Sequence, residues 1–561
     1  MDHQDATSET GLLRTHHVKP QDWVKYWMDT SPETIGGCNN DAETNFSAFW
    51  ALYRLQHPEH KVFQQHGDRL HRVVPLCIHG DEGRAVKRTN FLVCSVESVL
   101  GSVQDGRVSQ GCSCEAKLMS RPSIPTYEPD TPPPAIDPNM LRVAAEQLTN
   151  FKGHSYLSRM LIFGVGGWVY KKHPHIVDAL FEELSITMTD LFENGVKVQN
   201  GDTYYAACVA VKGDMDFHAK VMDLSRSYKN VGTKNRLEIC HMCRAGNRQY
   251  SFEDYRESPE WLSTLFQSRP WNTDSPPSLC QIPFDDQSPE RILQGDTFHL
   301  IKLSIARDVI GGVLILLLRL KFFDHEGSPT NLDSRFQRAH SYFALWCRAT
   351  GKTAGLRSFT PSFFNMRHGL MSAPWASTKG SDSILCLEWL VFTLNQQMAN
   401  PTVAGHDRML KQMHQVCEAC LGINMVHSHG LWLKRTCARL LYGHFMTLLR
   451  GYALLGQKAL TLKIRAFIQK PKCHGVHHIA VSLKRQLKLG VSLVLSPQAF
   501  ACEICEDFLG RISRLSRRVG FRLCHLRVIQ RYFLKVSALI RKRKDQKRKK
   551  RWKSEDIVQP V

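Results

Sequence analysis

The chain of 561 residues has no long hydrophobic run. Its most apolar stretch, Val309–Leu318 (VIGGVLILLL), lies between Asp308 and Arg319. That is about half of the roughly 20 residues needed to cross a bilayer, so it predicts a buried helix and no membrane partner. The opening MDHQDATSET lacks the basic residues and apolar core of a secretory signal. The 18 cysteines are therefore expected to be thiols in a reducing compartment rather than disulfides. There is no internal repeat. Acid is scarce beside base, with 52 Asp and Glu against 73 Lys and Arg and a net charge of +21. Such an excess points to a polyanionic partner, most simply nucleic acid. Hydrophobic content of 43% and charged content of 22% are ordinary for a globular protein, and the length predicts roughly two to four domains.

The basic charge is partly local. Arg541–Lys553 (RKRKDQKRKKRWK) supplies +9, and the remainder is spread over the body. Arg541, Lys542, Arg543 and Lys544 in this run, with Arg511, Arg514, Arg517, Arg518, Arg522 and Lys535 before it, form a candidate phosphate-binding face. Its affinity would fall steeply with salt and need not read sequence. A solvated helix face, or a nuclear-import signal in the tail, is the competing reading.

Two apolar strands end in the same dipeptide. Tyr204–Val211 reads as a strand buried on both faces and exits through Lys212-Gly213-Asp214. His71–His79 (HRVVPLCIH) reads as a second, exits through Gly80-Asp81, and has Asn90–Val96 as its hairpin partner. Ligands and catalytic groups collect at such strand ends. Cys240-x-x-Cys243 follows and is half of a zinc-ligand set, which His218, Cys112 or Cys114 can complete; two unliganded thiols are the alternative. The Gly-x-Gly-Gly within Leu157–Val169 lacks the Lys-Ser/Thr of a phosphate loop. Pro122–Pro138 excludes helix and central strand and reads as a surface connection. Helical spacing recurs at Gln21–Met28, Asn45–Leu55 and Ile176–Glu193.

From Gly295 to about Leu489 nearly everything reads helical, except a possible strand at Leu356–Phe364. Asp296 is placed to cap a helix through Lys321, with His299 orienting it. His474 and His478 stand one turn apart, where capping and core hydrogen bonds are favoured over metal binding. Cys417/Cys420 and Cys502/Cys505 share helix faces and read as packing. An acidic cluster, Glu503, Glu506 and Asp507, opens a helix leading into basic helices that run to about Ile540.

The order of these motifs is Gly-Asp81, Gly-Asp214, Cys240-x-x-Cys243, Asp296-x-x-His299, Pro471-Lys472-x-His474-x-x-x-His478, then the acidic helix. It resembles the large eukaryotic DDE/D cut-and-paste transposases, nearest to the Plavaka and Kyakuja–Dileera–Zisupton groups, over about residues 70 to 520. The resemblance implies an α/β fold: an RNase H-like mixed sheet core interrupted by a large, mostly helical insertion, with a basic helical C-terminus. The corresponding division is an N-terminal helical segment (1–68), a first core part (69–250, with an insertion at 101–138), the helical insertion (251–495), the last core helix with basic helices (496–540) and a disordered basic tail (541–561). It makes Asp81, Asp214 and Glu506 the catalytic carboxylates and ligands of Mg²⁺ (or Mn²⁺), with Glu503 and Asp507 open as the third acid. Cys240 and Cys243 remain candidates for a structural zinc. The implied partner is DNA, the implied compartment the nucleus, and a homo-oligomer is left open. The chain also fits a degenerate or domesticated copy, a non-catalytic zinc-knuckle nucleic-acid-binding protein, or a helical interaction protein.

Overall fold

The computed structural model describes residues 5–8, 11–85, 89–102, 135–234, 238–367, 372–399 and 406–555. A short hairpin pairs Asp5–Ser8 with Gly11–Arg14. Helix α1 (Pro20–Thr30) turns Trp23, Val24 and Trp27 inward, and α2 (Ala42–Tyr53) buries Phe46, Phe49, Trp50 and Tyr53. Asp41 starts α2 by accepting from the Thr44 N–H. Both helices share one hydrophobic core with the sheet, so residues 1–68 are part of that core rather than a segment apart. The indole of Trp50 donates to the Val73 carbonyl at 2.8 Å and ties α2 to the first core strand.

That strand, β1 (Val73–Arg84), pairs antiparallel with β2 (Asn90–Ser98), which pairs antiparallel with β3 (Met160–Gly166). The expected hairpin is present, but β1 continues through Arg84, so Asp81 lies within the paired strand, opposite Val93. Helix α3 (His175–Glu193) lays Ile176, Leu180, Leu184, Met188 and Leu191 against the core, the three-to-four-residue spacing of one helix face. A two-residue strand β4 (Val196–Lys197) leads to β5 (Thr203–Lys212), which returns parallel to β1. The sheet order is β3-β2-β1-β5-β4, a mixed five-stranded sheet. On the β4 side of β5, Leu293 makes one further parallel bridge to Val211. Most of β2 and β5 is buried on both faces, which is why they read as continuous apolar runs.

Helix α4 (Met215–Val221) crosses the ends of β1 and β5. A side chain on Gly80 would meet the Phe217 ring at 2.2 Å, and one on Gly213 would meet that ring at 2.4 Å and the Gly80 carbonyl at 3.0 Å. Glycine is required here for space. Gly213→Ala is expected to cost about 1–3 kcal/mol by overpacking and to displace the neighbouring Asp214; denaturant melts check the first effect.

The long apolar run is α5 (Ala306–Arg319), buried on nearly every side as expected. It continues a π-helical stretch, Phe298–Ile305. With α6 (Leu332–Ala349), α7 (Gly380–Ala399), α8 (Asp407–Ile423), α9 (Arg435–Thr461) and α10 (Pro471–Lys488) it builds a second hydrophobic core. The possible strand at Leu356–Phe364 is not formed: the segment is irregular, and its phenylalanines pack against Phe336, Phe343 and Trp389. Aromatic spacing there serves burial, not pairing. Two short strands, β6 (Trp432–Lys434) and β7 (Leu493–Leu495), pair antiparallel.

Helix α11 (Glu503–Ser516) then returns to the sheet, and α12 (Cys524–Glu555) follows. The first half of α12 belongs to the sheet core through Val528, Ile529, Tyr532 and Val536, with the Tyr532 hydroxyl donating to the Arg159 carbonyl at 2.7 Å. The helix runs on to Glu555, where a disordered end was expected from 541. The residues involved, Lys and Arg, are good helix formers once a buried first half nucleates them.

Between sheet and α11 lies a buried charge cluster. Glu97 of β2 is ion-paired to both Arg159 and Lys212, all three 2% exposed. Burial disfavours the Glu97 carboxylate, but the two cations outweigh it and hold its pKa below the ordinary range. The Lys212 ammonium also donates to the Ala501 carbonyl just before α11. Removing Glu97 would strand two buried cations. Glu97→Ala is expected to cost about 3–5 kcal/mol, measured by denaturant unfolding, and a cost under about 1 kcal/mol would contradict this account.

Candidate functional site

The parallel pairing of β1 with β5 brings two of the expected acids to one edge. His79 pairs with Lys212, and Asp81 and Asp214 each lie two residues further on, so both stand at the same level, Asp81 still within β1 and Asp214 just past the end of β5. The Asp214 carboxylate accepts from the Phe217 N–H at 2.7 Å and caps α4. Asp81 accepts from the Glu82 N–H at 2.6 Å. Helix α11 brings Glu506 to them: one ligand atom each from His79, Asp81 and Glu506 lies within 4.8 Å of the others. Asp214 stands outside that close group, yet its charge is felt by Asp81.

The other two acids of the cluster face elsewhere. Glu503 pairs with Lys302 at 2.8 Å, and Asp507 bonds Ser155 and Arg511, both at 2.7 Å. Asp507 is turned about 100° from Glu506, and Glu503, one turn before Glu506 on the same side of α11, is drawn off by Lys302. Sequence reasoning missed His79. Its signal was its position two residues before Asp81, which puts both side chains on the same face of the strand.

This edge is electrostatically unfavourable without a cation. Burial raises the pKa of Glu506, and the neighbouring Asp81 carboxylate adds to it, pushing it up to about 10. Burial also raises Asp81, with the charge of Asp214 adding to the effect. Glu506 Oε1 and His79 Nε2 are both buried without a hydrogen-bond partner. Burial pushes His79 down to about 3, so its ring is neutral.

The Asp296/His299 pair does more than cap. Asp296 accepts from the N–H groups of Phe298, His299 and Cys502 at 2.8, 3.1 and 3.0 Å, joining the start of the π-helical stretch to the start of α11. Its other contact holds His299 Nδ1 at 2.6 Å and aims Nε2 at Glu506 Oε1, 3.5 Å away. Burial opposes protonation of His299, but the Asp296 bond and the charges of Asp296, Asp81 and Asp214 raise its pKa overall.

A second centre gathers Cys240, Cys243, His474 and His478, all four buried and with ligand atoms within 4.8 Å of one another. Cys240 Sγ is 3.3 Å from His478 Nε2, and Cys243 Sγ is 3.3 Å from His474 Nε2 and 3.5 Å from His478 Nε2. Tetrahedral zinc with ordinary Zn–S and Zn–N bonds separates such atoms by about 3.5 Å. The cluster can hold a metal such as zinc. Burial opposes ionisation of Cys240, but the Cys243 hydrogen bond and the two imidazoles bring its pKa well below the usual thiol range. Burial keeps His474 neutral, as a ligand must be.

His474 and His478, for which the sequence favours capping and core hydrogen bonds over metal binding, are thus candidate ligands. Their spacing puts two imidazoles on one face of α10, and only the fold shows that Cys240 and Cys243 lie opposite. His218 does not complete the set; its ring lies near His241 instead. Cys112 and Cys114 lie outside the described residues. The Trp261 ring closes the centre, 4.7 Å from His474 and 4.5 Å from His478. A cavity of about 190 Å³ separates the two centres, with Asp214, Asp296 and His299 on one side and His478 on the other.

Of the expected phosphate-binding residues, Arg511 is engaged with Asp507 and His154, and Arg517 donates to the Arg84 carbonyl at 3.0 and 2.9 Å. Arg514, Arg518, Arg541, Lys542 and Lys544 are exposed, and Arg543 is partly so. No helix among the described residues is long and apolar enough to cross a membrane. The chain matches no family model and no curated protein.

Proposed function

We propose that the chain is a DDE-type, transposase-like protein that cleaves and transfers DNA strands on an RNase H-like core. One observation carries this reading: Asp81 of β1 and Asp214 just past the end of β5 stand at equal register on adjacent parallel strands, and α11 delivers Glu506 to Asp81. The strand order, with an antiparallel β1-β2-β3 meander and β5 parallel to β1, supports the RNase H-like assignment. The separate helical core between β5 and α11 supports the inserted domain.

Asp81 and Glu506, with Asp214 across the edge, would hold Mg²⁺ or Mn²⁺; the crowding of buried carboxyl groups beside His79 fits a cation there. Bound divalent ions supply activation of a water or 3′-hydroxyl and stabilisation of the leaving oxygen in an in-line displacement. His79 would favour Mn²⁺ over Mg²⁺, since imidazole nitrogen suits the softer ion. Asp296 and His299 position Glu506 and return a proton-bearing nitrogen to the edge. The Cys240–Cys243–His474–His478 centre would hold zinc and brace α10 behind the cavity.

The test is a nicking assay on supercoiled plasmid with Mg²⁺ or Mn²⁺, with Asp214→Ala as control. Divalent-dependent nicking lost in the variant supports the reading; nicking that persists in Asp214→Ala counts against it. The capping bond of Asp214 and its place outside the close acid group favour a second reading, a zinc-dependent DNA-binding protein without catalysis. That reading expects salt-sensitive DNA binding and no nicking.

A further inference from the structure

We infer that the stacked pair Trp168–Phe521 is a platform for an unpaired nucleobase, and that the cations around it hold the phosphates of a single DNA strand. β3 ends at Gly166, and the short helix Gly167–Tyr170 folds the Trp168 indole back over the strand end. A side chain at Gly166 would meet that indole at 2.3 Å. Phe521 comes from the turn between α11 and α12 and stacks on Trp168, with ring centroids 4.0 Å apart and planes 28° from parallel. Phe521 is 46% exposed, unusual for a ring so placed in a turn that could have buried it.

The charged residues that flank the two rings in the chain are all basic. Lys171 and Lys172 follow the Trp168 helix, and Arg517, Arg518 and Arg522 flank Phe521, all exposed. Arg517 is fixed to the carbonyl of exposed Arg84 at the end of β1. Neither segment, 167–173 or 517–523, contains an acid. Glu82, which is bonded to Tyr170 of the Trp168 helix, is also occupied by Asn90 and Lys220. A solvent-exposed aromatic stack with exposed cations beside it in both chain segments is the arrangement that binds single strands: a base continues the stack while the backbone meets the cations. It does not demand a particular base, because every base has a π-face.

The Trp168 helix is tied to the other side of β1. Tyr170, two residues from Trp168, donates to Glu82 at 2.8 Å, and Glu82 points to the face of the strand opposite His79 and Asp81. The inference goes beyond the proposed function: the binding itself does not require cleavage.

The test uses the full zinc-loaded chain, free of divalent Mg²⁺ and Mn²⁺, with a labelled single-stranded oligonucleotide and its duplex at fixed low salt. Phe521→Ala and Phe521→Leu are expected to weaken single-strand binding roughly 5- to 150-fold, the effect of one lost base stack. Phe521→Trp is expected to restore it, and duplex binding is expected to change little. Phe521→Leu keeps apolar volume, so it separates stacking from support of the fold, and thermal melts of each variant verify folding. Wild-type single-strand affinity in Phe521→Leu, or equal losses on single strand and duplex, would overturn the inference. If these binding effects appear but Asp214→Ala nicks like the wild type, the platform stands and the catalytic reading falls. If nicking depends on Asp214 and the binding effects are absent, the platform alone falls.

Discussion

Replacing Cys243 with Ser, or stripping the chain with a strong chelator, is expected to unfold the region around α10. The purified chain is expected to carry about one zinc ion, and Cys243→Ser and His478→Ala none, by elemental analysis. The four ligands come from two segments more than 230 residues apart: Cys243 and His474 are separated by 231 positions. The centre therefore closes a long loop as well as filling a buried polar hole, and without metal it leaves thiols and imidazoles desolvated. A cost on the order of 4 kcal/mol or more is expected, read as a lower thermal midpoint of the chelated protein. Since α10 also donates through Lys472 to the His299 carbonyl at 3.3 Å, loss of zinc is expected to disturb His299 and through it Glu506. Affinity for the metal should fall as pH drops, because both thiols must be ionised to bind. A wild-type protein that melts identically with and without chelator would refute the structural role.

The second large effect is at the acid edge, where activity and stability are expected to move in opposite directions. Asp81→Asn, Asp214→Asn and Glu506→Gln should each reduce divalent-dependent nicking on the order of 10³-fold, the scale of losing one group that stabilises developing charge in a closed site. In the metal-free protein Asp81→Asn and Glu506→Gln should leave the melting temperature unchanged or raise it, because they end the cost of holding a buried carboxylate charged at Asp81 or protonated at Glu506.

The pH dependence has a definite sign. The Glu506 pKa is about 10 in the folded chain against an ordinary 4.5, so the folded state keeps a proton that the unfolded state releases. Its stabilising contribution is complete below about pH 4.5 and is lost as pH rises toward 10. Glu506→Gln should flatten that decline in metal-free melts. Divalent ions compete with the same proton, so their binding should tighten as pH rises. Nicking by the Asp214 variant at the wild-type rate, or a Glu506→Gln melt with the same pH slope, would remove the support for the edge as a metal site.

Much of the architecture was legible because the signals were local. The strands at Val73–Arg84 and Thr203–Lys212 announce themselves as apolar runs, and α3 and α5 by their spacing or uniform apolarity. The strand expected at Leu356–Phe364 failed because Phe359, Phe363 and Phe364 equally suit an irregular segment packed into a helical core. The disordered tail expected from 541 failed because a buried half-helix upstream continues into it. His474 and His478 were legible as a pair on one helix face but not as ligands, because half of a metal site looks like ordinary packing until its other half is located. Among Glu503, Glu506 and Asp507 the family resemblance favoured Glu506 and left the other two open; in the structure Glu506 is the one beside Asp81 and His299, while Glu503 and Asp507 are paired elsewhere.

The sequence by itself determined the elements and the candidates: apolar strands ending in Gly-Asp, the helical second half, the paired cysteines and the basic C-terminus. These follow from near-neighbour chemistry, in which periodicity and turn residues act within a few positions. Only the tertiary structure decided which distant groups meet: Asp81 with Glu506, Glu97 with Arg159 and Lys212, Cys240 and Cys243 with His474 and His478. Such meetings depend on strand register and helix rotation. Both are set by the burial of whole faces, where many weak contacts act together, rather than by any residue's immediate neighbours in the chain.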